Sequence, residues 1–114
     1  FQTADILLPL DAPENAQISA AAPGVQLFIF AHVVVENAVA LHRGGYEFLC
    51  GVFAAAAPGA SFLFTDNSHR CWPACVAAAR ASWDGEWTVG LPRVHGKPGY
   101  SLALIKAPWP GGAG

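Results

Sequence analysis

Three polar groups stand at the ends of apolar runs in this 114-residue chain. Asp5 follows "FQTA", His32 with Glu36-Asn37 follows "QLFIFA", and Asp66-Asn67 follows "SFLFT". Carboxylates and an imidazole are the residues that move protons or orient an attacking group. His32 is the first candidate for a base, because imidazole exchanges protons nearest neutral pH, and Glu36 and Asp66 are the other candidates. Asp and Asn also cap turns and helices, so each residue alone has a structural reading. Three polar strand ends together point to the rim of one pocket.

The cysteines offer a second chemistry. Cys71 and Cys75 lie four apart with His69 close by, while Cys50 belongs to another segment. A zinc centre needs four converging ligands, commonly in paired clusters, and only one cluster is present. A disulfide across one helical turn has unsuitable geometry. The thiols are therefore expected to be buried packing groups, with no metal. His42 and His95 read as solvent-facing loop residues. Trp72, Trp83, Trp87 and Trp109 read as core or interface filler, with a stacking surface for a base as the alternative.

These residues need a scaffold, and the composition describes one. The chain is 54% hydrophobic and 12% charged, so it is expected to be covered by something larger or by a partner on its apolar sheet edge. Its length suits one domain. No apolar run reaches the roughly 18–20 residues of a spanning helix, so no membrane partner is expected. A net charge of −2 lacks the basic footprint of a nucleic-acid binder. Three cysteines argue against a disulfide framework and favour an intracellular setting. A chain that opens on Phe1 and contains no Met reads as an excised piece.

Residues 1–8 resemble the end of a strand and a turn at Pro9. Residues 11–24 read as a loop or short helix ending at Pro23-Gly24. The run Val25–Val35 reads as a strand buried on both faces, as in parallel sheets. Between Glu36 and Ala57 a helix is expected, with Phe48, Leu49, Val52, Phe53 and Ala56 forming one stripe. Gly44 and Gly45 loosen its start and Pro58-Gly59 stops it. A strand Ser61–Thr65 and a helix from about Pro73 to Ala81 follow, with Pro73 in the first turn. "EWTVGLPRV" and "YSLALIKA", joined by "HGKPG", read as an antiparallel hairpin. Residues 109–114 are expected to be a disordered tail. Alternating strands and helices give an α/β fold with a largely parallel sheet, in which ligands bind beyond the carboxyl ends of the strands.

The order of these elements resembles class I S-adenosylmethionine-dependent methyltransferases, from their third strand to their seventh, over residues 1 to about 107. "FQTAD" is similar to the end of the third strand, whose final acidic residue holds the adenine amino group; Asp5 matches it. "VQLFIFAHVVVE" is similar to the fourth strand, whose carboxyl end lies against the cofactor. "APGASFLFTDN" resembles the passage into the fifth strand, and the hairpin matches the sixth and seventh strands, the seventh antiparallel. Within the family, the passage through "FLFTD" is similar to eukaryotic ribosomal-RNA uridine methyltransferases.

The resemblance implies a partial Rossmann-like sheet with helices on its faces, spanning residues 1–108. It implies S-adenosylmethionine as cofactor, bound at Asp5, Ile6, Phe30 and Ala31. It also implies methyl transfer to an acceptor left open, RNA among the candidates. One departure is large: no G-x-G turn precedes Asp5, so the family's glycine-rich cofactor loop is missing from the segment. These residues alone are then expected to be inactive, and a non-catalytic interaction module or partner subunit is the rival reading. The absence of G-x-S-x-G and of G-x-x-x-x-G-K-[ST] argues against an α/β-hydrolase and a P-loop enzyme.

Overall fold

Phe62 and Phe64 sit at the centre of the protein, both fully buried. They belong to the middle of a four-stranded mixed sheet seen in the computed structural model, which describes residues 4–91, 93–94, 97–98 and 100–107. The strands are β1 (Leu27–Ala31), β2 (Ser61–Thr65), β3 (Trp87–Gly90) and β6 (Ser101–Lys106). A two-stranded ribbon, β4 (Arg93–Val94) with β5 (Lys97–Pro98), extends the final hairpin. The sheet order is β1-β2-β6-β3. β1 and β2 are parallel, and β6 runs antiparallel to both of its neighbours.

One face of the sheet carries the core. Phe28 and Phe30 stack on Phe62 and Phe64 at ring-centroid distances of 4.9 and 4.7 Å, the cross-strand aromatic pairing that favours one register. Helices α3 (Glu47–Ala55) and α4 (Trp72–Ser82) cover this face. Phe53 of α3 meets Phe62 edge-on at 4.9 Å, and Trp72 of α4 leans on Phe64 at 6.1 Å. The expected stripe Phe48, Leu49, Val52, Phe53 and Ala56 is buried along its length. Lys106, at the end of β6, is also buried; its ammonium donates to the carbonyls of Phe53, Ala54 and Ala56 at 2.9, 3.2 and 2.7 Å. It thereby closes the carboxyl end of α3, where a cation is favoured.

Several expectations change. The strand expected over Val25–Val35 covers only Leu27–Ala31 and is buried on one face. His32 ends it by taking a left-handed conformation, φ 57°, and Val33–Val35 pass into a turn. The other face is open: Leu27 is 54% exposed, Ile29 63% and Ile105 39%. Helices on both faces are thus not seen among the described residues. The helix expected from Glu36 to Ala57 is two helices, α2 (Ala38–Arg43) and α3. Gly45 and Tyr46 both have positive φ, 67° and 57°, and turn the chain between them.

β2 occupies the expected Ser61–Thr65, and α4 starts with Pro73 in its first turn. Residues 13–24 form the expected short helical stretch, with α1 at Ala16–Ala21 between two 3₁₀ turns. The strand expected to end near Asp5 falls mostly on residues 1–3, outside the described residues, and Ala4-Asp5 are not in a strand. The expected tail at 109–114, with Trp109, and His95 also lie outside them. No helix among the described residues is long and apolar enough to cross a membrane.

Candidate functional site

The parallel strands β1 and β2 end side by side, and their register decides what meets there. Ala31 pairs with Thr65, and Thr65 pairs with Ser101 of β6. One residue further on, His32, Asp66 and Tyr100 form a row across the carboxyl end of the parallel pair. Backbone bonds hold it: His32 N–H donates to Thr65 O at 2.8 Å and Asp66 N–H to Tyr100 O at 2.9 Å. The row spans two strand spacings, about 10 Å.

Asp66 is 7% exposed. One carboxylate oxygen accepts from Val35 N–H at 2.9 Å and the other from Asn67 N–H at 2.8 Å. It therefore ties the turn after β1 to the end of β2. Asn37 does similar work, its amide donating to Val33 O at 2.8 Å. His32 and Glu36 are exposed on this turn. A left-handed His costs less than most residues would, but still represents stored strain. His69 and Tyr100 stack nearby, ring centroids 6.4 Å apart and planes 18° from parallel.

Three of the four residues assigned to the cofactor lie along the free edge of β1. Ile6, Phe30 and Ala31 line a groove of 480 Å³, together with Val33 and Phe48. Gln26 O and His32 N–H bond to β2, and alternate residues point to opposite sides of a strand's hydrogen-bonding plane. Leu27, Ile29 and Ala31 thus turn their N–H and C=O groups outward at the sheet edge. Asp5 does not line the groove; it is exposed, accepting from Leu7 N–H through its own carboxylate at 3.0 Å.

The residue that sequence reasoning missed is Asn15, fully buried inside the loop that bears Asp5. Its carbonyl oxygen accepts from Asp5 N–H at 2.7 Å, and its amide donates to Asp5 O at 2.9 Å and Pro9 O at 3.0 Å. Asn15 fixes the backbone of Asp5 from both sides. Gly51 of α3 helps, since a Cβ there would stand 2.7 Å from Leu10 Cβ; a side chain would push the loop away.

The protein matches no known family, no curated relative and no solved structure. The remaining chemistry rests on geometry. Cys71 and Cys75 are buried in the core and Cys50 is half-buried, all as free thiols. Burial, with the charges of Cys71 and Asp66 adding to it, pushes the Cys75 thiol up to about 12. Among the described residues no three His, Cys, Asp or Glu side chains converge as a metal centre requires. Trp83 and Trp87 meet edge-on at 5.8 Å, Trp87 reaching Phe53 and Phe62 as packing. His42 is exposed.

Proposed function

We propose that this chain is the carboxyl-terminal part of a class I S-adenosylmethionine-dependent methyltransferase domain, acting on an acceptor still to be identified. The observation that carries the reading is the sheet order β1-β2-β6-β3, with β6 alone reversed. Doubly wound sheets place their last strands side by side in the order 4-5-6. Here β1, β2 and β3 follow that direction, and the last strand enters antiparallel between β2 and β3. The resemblance implies such a reversed seventh strand.

In this reading, the free edge of β1 and the groove along it take the family's first strand, and the adenosyl part of the cofactor lies beyond the carboxyl end of β1, beside Ile6, Phe30 and Ala31. Asp5 accepts a hydrogen bond from the adenine amino group. The sulfonium methyl is already activated, so the protein's task is alignment of donor and acceptor. His32 and Glu36 stand exposed on the rim, where they can orient the acceptor or take its proton. Asp66 uses both oxygens on backbone N–H groups and acts chiefly by holding the rim in place.

A second reading has its own support. The open sheet face with Leu27, Ile29 and Ile105, and the free hydrogen-bonding edge of β1, suit a non-catalytic interaction module. Calorimetric titration of S-adenosylhomocysteine separates the two. The longest native polypeptide containing this chain should bind it, and the 114 residues alone, without a glycine-rich loop, should bind far more weakly. Absence of binding by either favours the interaction module.

A further inference from the structure

We draw no further inference here: the strongest candidate, the open sheet face that carries Leu27, Ile29 and Ile105 beside the free edge of β1, is an unpartnered apolar surface, and nothing in the structure shows what covers it.

Discussion

Replacing Asn15 by Ala removes the side chain that holds the Asp5 loop. Three well-formed hydrogen bonds are lost: from Asp5 N–H at 2.7 Å, and to Asp5 O and Pro9 O at 2.9 and 3.0 Å. A fourth contact, to Leu8 O at 3.4 Å, is weak. Each good bond contributes a net ~0.5–1.5 kcal/mol, and water entering the opened loop compensates part of the loss. The expected destabilisation is about 2–4 kcal/mol, read from urea unfolding. Hydrogen exchange at the Asp5 amide should accelerate more than exchange in β2, because the loop opens before the sheet. Asn15→Asp should not rescue it, since a carboxylate cannot donate to the Asp5 and Pro9 carbonyls. A cost below about 0.5 kcal/mol, the usual range for a surface change, with unchanged Asp5 exchange, would refute the assignment of Asn15 as the anchor.

Gly51→Ala should destabilise by about 1–3 kcal/mol through overpacking against Leu10, measurable by the same unfolding curves. Lys106→Met should cost about 2–4 kcal/mol, because three carbonyls lose a charged donor, partly offset by no longer burying a cation. Burial lowers the pKa of Lys106, so the cost of burying its ammonium is full at low pH and eases as pH rises toward the unfolded value of 10.5, and the loss in Lys106→Met should grow over that window. Cys75 works in the opposite direction. Its thiol is raised from 9.0 to about 12, so its contribution is whole below the unfolded value and falls by about 1.4 kcal/mol per pH unit between them. Cys75→Ala should flatten that alkaline loss in urea titrations; an unchanged slope would contradict burial of the thiol. His32→Gly should be neutral or stabilising by up to about 1 kcal/mol, while His32→Val should destabilise by more, the β-branched side chain being poorly suited to positive φ.

The parts legible in the sequence were those where one local signal decides. "SFLFT" is a short apolar run bounded by Pro58-Gly59 and Asp66, and Pro73 marks the start of α4. The long run Val25–Val35 was misleading because Val33–Val35 have strand chemistry, whereas His32 ends the strand through a backbone angle. Gly44-Gly45 were read as loosening the start of one helix, although they separate two. The three polar strand ends were visible as residue types. That Asp66 spends both oxygens on the backbone was not, because it depends on where the turn at Val35 returns. Asn15 carried no signal at all, its partners being backbone groups six to ten residues away.

The central claim is that an adenosyl cofactor lies at the carboxyl end of β1, beside Ile6, Phe30 and Ala31. It is tested most directly by ultraviolet cross-linking of radiolabelled S-adenosylmethionine to the longest native polypeptide containing this chain, with the labelled peptide mapped by mass spectrometry. The account predicts label on the peptides carrying Ile6 or Phe30-Ala31, competed by S-adenosylhomocysteine and reduced in Asp5→Ala. No competable label, or label confined to peptides away from that strand end, would contradict it.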